Sequence, residues 1–116
     1  MLGIVDSFEF GGNVYIVTKY EAGGDLADYA ESRGQAYLIE EQALQIFIQI
    51  AVGLKDIHMK KIVHCDIKHK NIFLNNKGKN PLVKIADFGH ACYLEDDECF
   101  KHESGTLGYR APETFL

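Results

Sequence analysis

No concentration of positive charge marks this sequence. Its 116 residues hold 12 Lys and Arg against 17 Asp and Glu, a formal net charge of -5. The lysines are scattered, whereas a nucleic-acid binder gathers positive charge on one face, so no nucleic-acid partner is expected. A membrane span is missing too. The longest apolar stretch, "ALQIFIQIAVGL", is interrupted by two glutamines and is far shorter than a bilayer requires. It reads as a core helix, with no membrane partner. Cysteine is scarce and odd in number: of Cys65, Cys92 and Cys99, at least one cannot join an internal disulfide. No paired CxxC spacing suggests zinc, and no signal peptide precedes the first polar residues. A reducing, intracellular setting is expected, cytoplasmic with the nucleus open. Internal repeats and low-complexity tracts are absent as well. What remains is 47% hydrophobic and 25% charged, the composition of a globular chain with a modest core.

The order of elements follows from pattern. "LGIVDSFEFGGNVYIVTKYE" predicts two strands joined at Gly11, Gly12 and Asn13, with a buried strand from Val14 to Tyr20. Gly23 and Gly24 then release the backbone, and Asp25 is placed to cap a short helix with Leu26, Tyr29 and Ala30 inward. From Glu40 to about His58, Ala43, Phe47, Ile50, Leu54 and Ile57 recur at helical spacing. Leu44, Ile48 and Ala51 widen that stripe, which implies packing on more than one side. "NIFLNN", "KGKN" and "PLVKIADFG" predict strand, turn, strand. After Gly89 the chain is acidic and without period, a loop by expectation.

Between helix and hairpin lies "HCDIKHKNIFL", with Asp66, Lys68 and Asn71 closely spaced. On a loop, the Asp66 carboxylate can accept a proton while the Lys68 ammonium neutralises transferred negative charge. Asn71 offers an amide oxygen and Asp87, after the second strand, a carboxylate oxygen, both suited to a hard metal ion. Mg²⁺ with phosphate is the pairing that most needs this set, because phosphoryl transfer asks mainly for positioning and charge neutralisation. An isolated Asp-x-Lys is most often a solvated surface pair. Here Asp87 opens "DFG", and "APE" follows at Ala111 to Glu113. The motifs "HxDxKxxN", "DFG" and "APE", in that order, form a specific signature.

In these motifs the chain resembles the eukaryotic protein kinase family, end to end but over only the middle of a full kinase domain. The resemblance implies an α+β fragment of the bilobal kinase fold: residues 1–20 as the end of the N-lobe and start of the hinge, residues 21–116 as hinge continuation and first part of the C-lobe. It implies ATP and Mg²⁺ as cofactors and a protein serine or threonine as substrate. Asp66 would orient the substrate hydroxyl and accept its proton, and Lys68 would contact the γ-phosphate and favour serine or threonine over tyrosine. Asn71 and Asp87 would be the magnesium ligands. His64 would pack near Phe88. On the adenine side, Thr18 aligns with the gatekeeper, and Lys19 to Glu21 would pair with adenine through backbone groups. Asp25 would meet the ribose, and Phe73 would lie beneath the adenine.

Three departures from the family pattern carry consequences. Cys65 replaces the arginine of the usual "HRD", so a phosphate at Ser104 loses its main local partner as an on-switch, while Thr106 shapes the substrate-facing loop. No "GxGxxG" loop, strand lysine or partner glutamate precedes Leu2, which implies weak ATP binding by these residues alone. Nor do the helices that pair with Glu113 and cover the long helix follow the "APE" motif. The missing lobes, or a partner covering exposed apolar faces, are therefore expected. The alternative reading is a pseudokinase-like interaction or regulatory module without phosphoryl transfer. The remaining histidines share no metal-ligand spacing, and His69 is expected at the surface.

Overall fold

The structure is a computed structural model that describes residues 1–34, 38–95 and 105–115. Strands β1 (Ile4–Phe10) and β2 (Asn13–Thr18) form an antiparallel hairpin. Gly11 and Gly12 both take positive φ at its turn, a conformation open to glycine at no steric cost. The expected buried strand is not buried: every residue of β1 and β2 is exposed. The alternating apolar content has no covering layer among the described residues. Leu2 N–H donates to Ile85 O at 2.9 Å, and this bond ties the hairpin's start to the rest of the molecule.

A short strand β3 (Gly24–Asp25) runs straight into helix α1 (Leu26–Ser32). Asp25 caps α1, its carboxylate accepting from Asp28 N at 2.9 Å, which satisfies one of the helix's orphan amides. Tyr29 is fully buried. Its hydroxyl donates to Gly78 O at 2.8 Å, so α1 is pinned to the turn of a distant hairpin.

Helix α2 (Glu40–Met59) is the largest element. Its buried row differs from the expected one. Ile46 and Ile57 are buried, Ile50, Gly53 and Leu54 half-buried. Ala43, Leu44, Phe47, Ile48 and Ala51 are exposed. The stripe is as broad as expected, but the described residues cover only one side of it. Gly53 explains the side chosen, since a Cβ there would come within 3.1 Å of Ile85 Cδ1. The helix lies against the sheet where it has least bulk.

Beyond α2, β4 (Ile62–Val63) leads through the loop and a 3-10 turn (His69–Asn71) into β5 (Ile72–Leu74), which pairs antiparallel with β6 (Val83–Ile85) and β3. Tyr29, Ile46 and Leu74 form the core, with Leu26, Leu38, Ile50 and Val83 around them. Gln49, one of the glutamines interrupting the apolar stretch, accepts from Val83 N at 3.0 Å and donates to Pro81 O at 3.1 Å. It thereby satisfies the outer edge of β6. The segment after Gly89 corrects a further expectation. Cys92–Tyr93 form strand β7, paired with β4, before the chain reaches residues 96–104, which lie outside the described residues together with Ser104 and most of the acidic run.

Candidate active site

Unusual backbone lies on both sides of β4. Lys61 and Cys65 both have positive φ, as does Asp87 beyond β6, a rare conformation for residues other than glycine and one associated with functional positions. His64 is buried just after β4. Its Nδ1 accepts from Asp66 N at 3.3 Å and its Nε2 lies 3.0 Å from Ala86 O. Because a carbonyl can only accept, Nε2 carries the proton. The ring packs 4.8 Å from that of Phe88. One imidazole therefore joins the Asp66 loop to the "DFG" segment in a structural role, as expected.

Asp66 is 4% exposed, and both carboxylate oxygens are occupied. Lys68 Nζ donates to Oδ2 at 2.7 Å and Asn71 Nδ2 to the same oxygen at 3.1 Å. Thr106 supplies Oδ1 with its backbone N at 2.9 Å and its hydroxyl at 2.7 Å. Lys68 Nζ also donates to Thr106 Oγ1 at 2.7 Å, closing a ring of three side chains. Burial alone would push the Asp66 carboxyl up. The donors from Lys68 and Thr106, together with the lysine's charge, outweigh it and hold the group well below the usual carboxylate range. Asp66 is thus an ionised acceptor at neutral pH.

Thr106 can approach because Gly105 precedes it. A Cβ on Gly105 would fall 2.5 Å from Cys65 O, and its φ is +90°. Next to this contact, the Tyr109 hydroxyl bonds His69 Nδ1. His69 is half-buried rather than a plain surface residue, and sequence spacing gave no signal of that pairing.

Asn71 is buried, and its amide nitrogen is engaged by Asp66 O at 2.8 Å as well as Oδ2. Both bonds are made by the amide nitrogen, so the side-chain oxygen is not used in them. Ala86 N donates to Asn71 O at 2.9 Å, and Ile72 pairs with Ile85, so Asp87 emerges at the same end of the hairpin. Asp87 is exposed, with one carboxylate oxygen accepting from Gly89 N at 3.2 Å. Two hard oxygen donors fit Mg²⁺, which keeps several waters and takes further oxygens from a phosphate substrate. No cluster of three or more His, Cys, Asp or Glu suited to a metal occurs among the described residues.

The expected adenine-side residues are more dispersed. Thr18 ends β2 and is exposed, as is Lys19. Glu21 is buried and its carboxylate pairs with Lys84 of β6. Its carbonyl accepts from Gly24 N at 3.1 Å. Gly23 crosses β5 closely, since a Cβ would meet Leu74 O at 2.4 Å. Asp25 and Phe73 are cross-strand neighbours, with the Asp25 carboxylate also serving as the helix cap. Lys84, which pairs with Glu21, was not singled out by spacing, because its partner lies 63 residues away.

Comparison with known proteins identifies the family. The protein kinase domain family matches residues 1–115. Serine/threonine-protein kinase Nek5 of Mus musculus is 42% identical over 108 residues, covering 92% of this chain and 17% of that protein. Nek3 of the same organism is 40% identical over 109 residues, covering 93% and 21%. Human serine/threonine-protein kinase ULK1 is 37% identical over 123 residues, covering the whole chain and 11% of that protein. The chain spans at most 21% of the length of these relatives. No described helix is long and apolar enough to cross a membrane. With both the motifs and the match running through nearly every residue, the chain belongs to the protein kinase domain family.

Proposed function

We propose that this chain supplies the catalytic-loop part of an ATP-dependent serine/threonine protein kinase, which transfers the γ-phosphoryl group to a protein hydroxyl. Residues 1–20 would close the N-lobe and open the hinge, and residues 21–116 would begin the C-lobe. The observation that carries this reading is the ring of Asp66, Lys68 and Thr106, with Asn71 bonded into it. Asp66 is ionised and carries a hydroxyl on Oδ1 at 2.7 Å. A substrate serine or threonine hydroxyl entering there would take the same kind of hydrogen bond, be oriented by it, and lose its proton to that carboxylate as phosphoryl transfer proceeds. Lys68 places an ammonium beside that oxygen, where charge on the transferring group needs neutralising.

Asn71 and Asp87 would hold Mg²⁺, which would supply positive charge to neutralise the ATP phosphates. Thr18, Lys19, Glu21, Asp25 and Phe73 would form the adenine and ribose side. A cytoplasmic setting, where ATP is supplied, belongs to this reading. The glycine-rich loop and strand lysine that clamp the phosphates are not among these 116 residues, so the isolated chain is expected to bind Mg-ATP weakly and to transfer nothing measurable.

The test is labelled phosphate transfer from ATP to a basic protein by a complete domain carrying this segment. Asp66→Asn should lower turnover by roughly 10²–10⁴-fold, the usual contribution of a positioned acid–base group, with ATP affinity nearly unchanged. Unchanged turnover would remove the assignment. It would favour the pseudokinase-like module, in which the pocket binds without transfer.

A further inference from the structure

The segment that brings Thr106 to Asp66 is anchored twice, and only one anchor belongs to the ring around that carboxylate. Thr106 O accepts from Tyr109 N at 3.1 Å, so residues 106–109 form a β-turn. Gly108, third in the turn, has φ 89°, the left-handed value that a type II turn needs and glycine supplies. One end of the turn, Thr106, bonds Asp66 and Lys68. The other end, Tyr109, bonds His69 Nδ1 through its hydroxyl. The two rings also lie against each other, with centres 5.3 Å apart and planes inclined at 33°.

His69 is the fixed member of this pair. It opens the 3-10 turn His69–Asn71, between Lys68 and Asn71, both of which bond Asp66. Asn71 N donates to Lys68 O at 2.9 Å, which holds the backbone around the imidazole. Tyr109, by contrast, is 50% exposed. A half-exposed phenol exchanges a water partner for a protein one, so its bond to His69 adds little to folding. What the bond sets is a direction. Held at Thr106 alone, the turn is free to pivot about that residue, and held at both ends it is not.

We propose that His69 is a positioning residue for the protein substrate, acting through Tyr109 to fix the turn at residues 106–109 beside Asp66. This rests on the kinase reading above, in which a serine or threonine hydroxyl comes to Asp66. The chain carrying that hydroxyl must pass this turn, because Thr106 already touches the same carboxylate oxygen. His69 acts on the turn and not on the carboxylate. Its loss therefore falls on substrate seating rather than on transfer.

The test uses the complete domain carrying this segment, with phosphate transfer to a basic protein measured at varied acceptor and ATP concentrations. His69→Ala should raise KM for the acceptor about 3–10-fold, the worth of one hydrogen bond, with kcat and KM for ATP within about twofold. Tyr109→Phe, which keeps the ring and removes the hydroxyl, should do the same. The doubly substituted domain should be no worse than either, since both changes remove one shared bond. His69→Asn, whose amide again offers the hydroxyl a partner, should restore KM to within about twofold. All variants should melt within about 2 °C of the original domain, as for a surface change. An unchanged acceptor KM in both single variants would overturn the proposal, and so would a loss confined to kcat or additive effects in the double. If His69→Ala does not fold, Tyr109→Phe alone and combined with His69→Asn decides the matter by the same KM. Binding of the fluorescently labelled acceptor, read without transfer, separates this proposal from the kinase reading. A domain that binds the acceptor but transfers nothing sinks the kinase reading, and a contrast of about 3–10-fold in Kd then decides the role of His69. A domain that does not bind the acceptor sinks both.

Discussion

Four donors converge on the carboxylate of Asp66, and three of them come from side chains. This has a consequence in acid. Its pKa is lowered in the folded chain, so the unfolded chain takes up the proton first as pH falls. The stabilisation is therefore complete above the unfolded value of about 3.9 and is lost as pH drops below it toward the folded value. Asp66→Asn removes the charge and with it this dependence. The gap in urea midpoint between the original chain and Asp66→Asn should stay level from about pH 7 to pH 5 and shrink toward pH 3. A gap unchanged across that range would mean that ionisation of Asp66 does not contribute.

Half of this arrangement could be read in the chain and half could not. Asp66, Lys68 and Asn71 lie within one short loop, so their spacing alone brings them together. Thr106 arrives from 40 residues away, a contact that no local spacing announces. The bond between His69 and Tyr109 escaped altogether, since a lone histidine among lysines has no local signature.

At the scale of elements, helix and strand periods located every long element but not what covers it. Periodicity reports which residues are apolar, while burial depends on what lies against them. Helix α2 shows the difference. Ile57 is fully buried, whereas Phe47 is 65% exposed although it stood in the expected stripe. In urea unfolding of this chain, Ile57→Ala should cost about 2–5 kcal/mol, transfer and cavity terms together. Phe47→Ala should fall within about 0.5 kcal/mol of zero, as surface changes do. Similar losses at both sites would mean that the helix buries a different face.

The hairpin of β1 and β2 gives the complementary case. Two strands without a third, or a helix against them, are marginal in water, and here both faces are exposed. Phe8 and Tyr15 stack at 5.1 Å between ring centres, which is modest support. In hydrogen–deuterium exchange of this chain, the amides of β1 and β2 should exchange nearly as fast as unfolded peptide. Those of β5 and β6, packed on α2 and the core, should be protected for far longer. Equal protection of both groups would show that the hairpin is stabilised by something other than its own pairing.

For the whole molecule the same imbalance appears in its dimensions. The accessible surface is 8445 Å², whereas a compact protein of this mass exposes about 6,300 Å². The Cα radius of gyration is 15.6 Å, against about 13.4 Å for a compact domain of this length. The excess is apolar in large part: Phe8, Phe10, Ile16, Phe47, Val52 and Met59 are all exposed. They fall on two surfaces, the hairpin and the outer side of α2. Exposed apolar area of this kind drives association, so the chain by itself should self-associate with rising concentration and bind a hydrophobic dye. Phe47→Glu with Val52→Lys should weaken both signals if the outer side of α2 is responsible, at little cost in folding, because neither residue is buried. Light scattering of the two chains over a concentration series decides it. A monodisperse monomer without dye binding would show that these surfaces are covered in solution by a rearrangement of the chain itself. Association undiminished in the doubly substituted chain would place the contact on the hairpin, where Phe10 is 74% exposed.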